Sequence, residues 1–399
     1  MRNDFVATGW ARRRAKAGIW MDICRIALRS YGNPLKAWRA VRAMGSRRRM
    51  RGRVTFKYAR AGGRWFWDLY SPGWPSPAFT RYVEAELNQS LPFGPARAPL
   101  QVLLMAVTKA CPLACEHCFE AGALNRPETV SREDLLRILE GFLDEGLAQV
   151  QFSGGEPLRR FADLLSLAEV ARNRADTWII TSGWGLDAGK AAALREAGLT
   201  GVLLSLDHWD PAQHDRFRGR PGSFAAAASA AAAARSRGLL LGLSLCATRD
   251  FTTPENLVAY ASLARRWGAG FIQIVEPKAV GAYAHRDVEP TPGQIALLER
   301  FYLDLAFSPG YAAYPSAAYQ GYAQRREGCG GAGRRYLYVD TDGRARACPF
   351  CREGGGADCR TASPAAAGLA LRAEGCPRYP APEIPAEASG AGGPAALRR

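Results

Sequence analysis

The stretch Cys111-Pro-Leu-Ala-Cys115-Glu-His-Cys118 sets three thiols apart by three and then two intervening residues. Thiolates hold the irons of cubane iron–sulfur clusters. Three of them leave one of four irons without a protein ligand, open to another molecule. A zinc site is the rival reading. Zinc prefers four closed ligands, usually from paired Cys-x-x-Cys knuckles, and this stretch has one such pair. A second group of thiols comes late in the chain: Cys329, Cys348, Cys351, Cys359 and Cys376. Cys348 and Cys351 share a two-residue spacing, and Gly343 stands five positions before Cys348. A zinc hairpin and an iron–sulfur cluster are both open for these.

The elements around the thiols are regular. Residues 102–107 read as a strand, and Thr108-Lys-Ala110 leads off its end into the first thiol loop. From there strands and helices alternate, which implies a parallel sheet or barrel. Residues 131–143 read as a helix whose start, Ser131-Arg-Glu-Asp134, resembles a capping box with an acid at the third position. Residues 150–153 form the next strand and run directly into Gly154-Gly155-Glu156-Pro157. Paired glycines at a strand end let a backbone approach a ligand closely. Further strands are expected at 178–181, 201–205, 239–248 and 270–275, and a closing helix at 290–307. Glu276, at a strand end, suits either a substrate contact or a salt bridge. An aromatic, irregular stretch follows at 311–322.

The three-thiol spacing and Gly154-Gly155-Glu156-Pro157 together resemble the radical S-adenosylmethionine (SAM) superfamily, over roughly residues 100–380. The resemblance implies an α/β fold, a partial (β/α)6 TIM-like barrel at about 99–308. It implies a [4Fe-4S] cluster on Cys111, Cys115 and Cys118, and SAM on the open iron. In the family the Gly-Gly-Glu-Pro segment binds the SAM amino group. Ser205 and Asp207 resemble the strand-end pair that faces the SAM ribose. Arg218 suits the SAM carboxylate by its guanidinium chemistry, with a local bridge as the alternative. His117 stands where the family often has an aromatic ring near the adenine. Ser182 departs from the usual Thr-Asn-Gly, which removes a side-chain amide. The late thiols resemble the twitch or SPASM extension, here at 309–380. Five Cys are too few for the seven that ligate two clusters. One auxiliary iron–sulfur cluster on Cys329, Cys348, Cys351 and Cys376 is expected, with Cys359 the alternative to Cys376. The reaction implied is reductive SAM cleavage and hydrogen abstraction from a substrate. The electron donor would be of the flavodoxin or ferredoxin kind. A peptide and a lipid-linked or acidic metabolite both remain open as substrate.

The 399 residues and ten Cys argue for metal chemistry in a reducing, cytoplasmic setting rather than a secreted disulfide framework. No apolar run is long enough to span a bilayer. The net charge of +16 is concentrated: residues 1–57 hold sixteen Lys and Arg against two acids. Residues 12–31 read as a basic amphipathic helix with Ile19, Ile23, Ile26 and Ala27 on one face and Trp20 beside it. Asn33-Pro34 starts a second helix carrying Leu35, Trp38 and Val41. The region does not read as a winged-helix leader-binding domain. Three readings are open for it. It attaches to an anionic membrane surface on the inner face, it binds nucleic acid as part of an iron–sulfur or zinc regulator, or it packs on the body with its charges solvated. The Gly-Gly-Glu-Pro segment speaks against a nucleic-acid regulator. Residues 54–70 read as an aromatic hairpin turning at Gly62-Gly63, suited to a substrate mouth or a small core. The basic module thus occupies 1–98, with a linker at its end, and 381–399 read as a disordered tail.

Overall fold

The computed structural model describes residues 6–7, 9–50, 57–93, 100–352 and 356–380. The end of the basic N-terminal region at 51–53, the hairpin positions Val54 and Phe56, most of the linker that runs from 92 to 99 and the tail at 381–399 lie outside the described residues.

The N-terminal unit holds β1 (Val6–Ala7), α1 (Gly9–Tyr31), α2 (Pro34–Met50), β2 (Tyr58–Ala61), β3 (Arg64–Phe66) and α3 (Pro77–Ser90). The strands form an antiparallel sheet in the order β1-β2-β3. Gly62 and Gly63 both have positive φ, as a two-residue hairpin turn needs. Ser76 caps α3 and Pro77 occupies its first turn. Ile19, Ile23, Ile26 and Ala27 share a face as expected. That face is buried with Ala37, Met44, Phe79 and Leu87 of the neighbouring helices, so it is not available to a bilayer. The aromatic hairpin is core as well. Phe66 and Leu69 pack on Trp178, Leu203, Leu240 and Phe271, at the amino-terminal ends of the barrel strands. An ion pair from Arg64 to Asp176 and the Gly73 amide on the same carboxylate (2.7 Å) fasten the unit there.

The body follows: β4 (Val102–Ala106), α4 (Arg132–Asp144), β5 (Gln149–Ser153), α5 (Phe161–Ala171), β6 (Asp176–Thr181), α6 (Ala188–Glu196), β7 (Gly201–Ser205), α7 (Pro211–Arg218), α8 (Ser223–Ser236), β8 (Leu240–Cys246), α9 (Pro254–Arg266), β9 (Phe271–Val275) and α10 (Pro292–Phe307). Strands β4 to β9 are parallel neighbours in sequence order, the six-stranded core of a partial barrel. Most helix starts are fixed by side-chain caps, α5 and α8 excepted. Ser131 and Asp134 form a reciprocal capping box on α4, and Thr291 and Gln294 do so on α10. Asp187, Asp210 and Thr253 cap α6, α7 and α9.

The remaining elements are β10 (Ser316–Tyr319), α11 (Gln320–Glu327), β11 (Tyr336–Val339), β12 (Ala345–Arg346) and α12 (Pro364–Glu374). They extend the same sheet at both edges, giving the order β10-β9-β8-β7-β6-β5-β4-β11-β12. The hairpin β11–β12 turns at Gly343 as expected, and β11 also pairs in parallel with β4. The stretch 311–322, expected to be irregular, contains the buried strand β10 and the start of α11. Four residues without alternating polarity carry too little periodicity to announce a strand. Among the described residues no helix is long and apolar enough to cross a membrane.

Candidate functional site

The first thiol loop leaves the carboxyl end of β4, where barrels place their chemistry. Four neighbours hold it. From β5, the Gly155 amide donates to the Thr108 carbonyl (2.7 Å) and the Glu156 amide to that of Ala110 (2.8 Å). From the end of α7, the carbonyls of Arg218 and Phe217 accept from Ala114 (3.1 Å) and Glu116 (3.0 Å). The Ala282 amide donates to the Cys118 carbonyl (2.9 Å). Asn125 folds back within the loop, accepting from the Cys111 amide and donating to its carbonyl. The glycines are required by contact. A Cβ on Gly154, whose φ is 123°, would lie 2.5 Å from the Thr108 carbonyl oxygen, and one on Gly155 would strike that of Ala110.

Cys111, Cys115 and Cys118 line a cavity of about 110 Å³ with Gly154, Gly155 and Ser182. Burial pushes the Cys111 thiol up to about 11 and the Cys118 thiol up to about 12. Among the described residues no three Cys, His, Asp or Glu side chains converge as on one bare ion. The thiols ring a space instead, which suits a cluster several atoms across better than a single zinc.

Glu156 lines that space too, with its carboxylate engaged by the neighbouring loop. Its buried carboxylate accepts from the Thr181 hydroxyl (2.6 Å), the Ser182 amide (2.9 Å), the Ser182 hydroxyl and the Leu158 amide (3.2 Å). It thereby ties the β5 loop to the β6 loop, and Ser182 supplies a hydroxyl where the usual pattern has an amide. Burial raises its pKa against these donors. Pro157, also buried, opens the short turn that follows.

Asp207 and Arg218 form a buried ion pair at 2.5 Å. The other Asp207 oxygen accepts from the Cys246 amide (3.0 Å), and an Arg218 terminal nitrogen lies 3.5 Å from Cys115 Sγ. Arg218 Nε is buried without a hydrogen-bond partner. Ser205, at the end of β7, lines the thiol cavity and the wider one beyond it. His117 stacks on Phe217, ring centroids 4.8 Å apart, and burial lowers its pKa to about 4.

The wider cavity, of about 610 Å³, begins at His117, Asp207 and Arg218 and ends at Cys329 and Cys348. The barrel wall between them sets a few polar groups among apolar side chains such as Leu104, Ile180 and Ile274. Gln273 accepts from Ser244 (2.6 Å) and donates to the hydroxyl of Tyr70 (2.7 Å), and Gln151 donates to Gln149 (2.9 Å). Tyr70, just beyond the hairpin, lines the cavity together with Arg47 and Gln89 of the same N-terminal unit. Glu276 lies on the rim, held by Tyr319 (2.6 Å), Arg325 (2.6 Å) and Lys278 (3.3 Å). Burial raises its carboxyl, but these partners outweigh it and hold the pKa low. That is the salt-bridged alternative for Glu276.

The late thiols separate into two kinds. Cys351 first, then burial and Cys329, push the Cys348 thiol well up, and burial, with Cys329 and Cys351 adding to it, pushes the Cys376 thiol up to about 11, so these four thiols lie near one another. Gln324 Nε2 (3.6 Å), the Gly331 amide (3.3 Å) and the Tyr336 hydroxyl (3.6 Å) surround Cys329 Sγ. Cys359 stands apart, buried in the main core, and its charged neighbours are Asp358 and Asp340.

Sequence reasoning missed Glu120, Gln151, Ser244, Cys246 and Gln273. Gln149 and Gln151 inside an otherwise apolar strand were the available signal for polar groups in the barrel interior. Glu120 gave none, because its partners, Tyr338 and Arg352, lie more than two hundred positions away.

Residues 105–247 match the family model of the radical SAM superfamily. The chain is 31% identical over 257 residues to the PqqA peptide cyclase of Gluconobacter oxydans (strain 621H), covering 63% of this chain and 70% of that protein. It is 30% identical over 171 residues to the AdoMet-dependent heme synthase of Oleidesulfovibrio alaskensis, covering 40% of this chain and 44% of the other. Among solved structures it is similar to Streptococcus suis SuiB bound to the precursor peptide SuiA, with TM-score 0.56 and 17% identity over 66% of this chain and 63% of SuiB. It is also similar to native anSMEcpe with bound AdoMet, with TM-score 0.51 and 17% identity over 67% and 80% of the two chains. At such identities the structural likeness speaks to the fold.

Proposed function

The chain belongs to the radical SAM superfamily, and from that premise we propose that it cleaves SAM reductively and uses the resulting radical on a peptide held in the wide cavity. The family's cofactors are a [4Fe-4S] cluster and SAM. When bound, they supply a 5′-deoxyadenosyl radical that takes hydrogen from an unactivated carbon. Cys111, Cys115 and Cys118 would hold the cluster. The backbone at 154–157 would take the SAM amino group, and Ser205 and Asp207 the ribose. Arg218 Nε is a buried donor with no partner, as a site for the SAM carboxylate needs. The ion pair to Asp207 orients that guanidinium, and His117 on Phe217 walls the adenine side.

A single observation carries the reading: one cavity runs from His117, Asp207 and Arg218 to Cys329 and Cys348. A substrate in it would meet the radical at one end and an auxiliary cluster on Cys329, Cys348, Cys351 and Cys376 at the other. Gln151, Ser244 and Gln273 offer partners to backbone amides within a largely apolar wall, which helps keep water from the reacting carbon. The peptide-cyclase relatives favour a peptide over a metabolite. The divisions at 98/99 and 308/309 would then separate a basic module, a SAM-cleaving barrel and a cluster-bearing extension. Each cleavage takes one electron from an external reductant of the flavodoxin or ferredoxin kind. The test is anaerobic reconstitution with dithionite, followed by 5′-deoxyadenosine formation from SAM and mass analysis of a short peptide encoded beside the gene. Cys115→Ala should abolish both signals. A Cys115→Ala protein as active as the parent would overturn the cluster assignment, and SAM cleavage that never alters a peptide would overturn the substrate class.

A further inference from the structure

Helix α1 is apolar on two opposite sides, and the fold covers one of them. The covered side is Ile19, Ile23 and Ile26. On the other, Trp10 is 78% exposed, Met21 62% and Leu28 47%. At about 100° per residue these three align within about 20° of one another, forming a stripe along the outer face. Helix α2, packed against α1, adds Leu35 and Trp38, 57% and 56% exposed. Exposed large apolar side chains gathered on one module in this way mark an interaction site.

The charge around the stripe has one sign. Residues 9–47 hold ten Lys and Arg against one acid, Asp22. That acid is already engaged, by Arg25 and by the indole of Trp74 (2.7 Å). Guanidinium groups sit directly on the exposed indoles: Arg13 is 5.9 Å from the Trp10 ring and Arg42 is 5.3 Å from that of Trp38. Long cationic side chains beside Trp, Met and Leu are the composition of a helix lying in a lipid interface, where the apolar atoms enter and the charges stay at the headgroups.

We propose that the outer faces of α1 and α2 dock on an anionic lipid bilayer. A second copy of the chain is a poor occupant, because a strongly cationic module would meet an identical one. A nucleic acid would neutralise the charge but would leave Met21, Leu28 and Leu35 in water. The docking also has a consequence for the site. Leu35 and Arg47 are separated by twelve positions of one helix, and Arg47 lines the wide cavity. At 1.5 Å per residue that contact lies roughly 18 Å along the helix from Leu35, so the docked element itself reaches the cavity. The proposal stands on α1 and α2 and does not depend on the peptide reading.

The test uses the full chain with flotation on vesicles of phosphatidylcholine alone or with about a third phosphatidylglycerol. The protein should float with the anionic vesicles and stay behind with the neutral ones. A stripe variant, Trp10→Ser, Met21→Ser and Leu28→Ser, should lower the bound fraction at least about tenfold. A charge variant, Arg13→Gln with Arg42→Gln, should lower it as well, and the circular dichroism of both should match the parent. All these residues are exposed, so folding is not at stake. Three results would overturn the proposal. The parent could fail to float with anionic vesicles, or float equally well with the stripe variant. Alternatively, the stripe could be needed for a concentration-dependent dimer or for capture of an oligonucleotide, with vesicles ignored.

Discussion

Glu120 stands two residues beyond Cys118, Arg352 stands one residue beyond Cys351, and their side chains are joined by an ion pair of 3.0 Å. The Tyr338 hydroxyl, from β11, donates to the same carboxylate. One buried acid therefore ties the first thiol loop to the second. Removing one partner of a buried pair leaves the other charge uncompensated. Arg352 is 27% exposed, so solvent relieves part of that penalty. Glu120→Gln should destabilise the protein by about 2–4 kcal/mol in urea unfolding. It should also lower the iron retained by reconstituted protein. An unfolding midpoint equal to the parent's would show that the pair holds nothing.

Gly155 tests the close approach between strand-end loops. A Cβ there would strike the Ala110 carbonyl, just before Cys111. Backbone must then move, and the first thiol loop moves with it. Gly155→Ala should cut 5′-deoxyadenosine formation by about 100-fold, the usual scale for a misplacement near 1 Å. Gly45→Ala is the control. It lies inside α2 with nothing within 4 Å of its added Cβ, and should gain about 0.5–1 kcal/mol of stability with unchanged turnover.

The parts of the fold legible in the sequence are those with local signatures. Strands β4 to β9 are mostly apolar runs ending in cysteine, glycine or polar loops, and α4, α6, α7 and α9 announce their caps. The Gly154-Gly155 approach was readable because no other residue tolerates the contact. Pairing across long separations was not readable. Nothing near Tyr336 says that β11 will lie beside β4, and nothing near Glu120 names Arg352. Periodicity placed Ile19, Ile23 and Ile26 on one face but could not say what covers it. The opposite stripe of Trp10, Met21 and Leu28 has the same period, and only packing decides which of the two stays wet.

The four interacting late thiols make a ligand prediction. Cys376 shares its surroundings with Cys329 and Cys351, whereas Cys359 is buried among core side chains. In a protein with Cys111, Cys115 and Cys118 changed to Ala, iron and sulfide should persist at about one cluster per chain. Adding Cys376→Ala should remove most of that iron, and adding Cys359→Ala should leave it. The reverse pattern would make Cys359 the ligand, and zinc in place of iron would point to a structural hairpin.

His214 gives the pH prediction. It sits on α7, buried, and its Nδ1 accepts from the Asp207 amide at 3.2 Å, so the folded protein holds it neutral. Burial and then Arg218 lower its pKa to about 4, against Asp207 and Asp215, which act to raise it. The unfolded chain takes up the proton near 6.5. Between those values the unfolded state binds more protons, so stability rises with pH there. The contribution is complete above about 6.5 and disappears as the pH falls through about 4, a loss on the order of 3 kcal/mol. His214→Gln keeps an oxygen acceptor for the Asp207 amide and cannot titrate. Urea unfolding of both proteins at pH 7, 5.5 and 4.5 should show the parent losing stability more steeply than the variant. Parallel curves would mean that His214 is protonated in the fold, and that the acid sensitivity lies elsewhere.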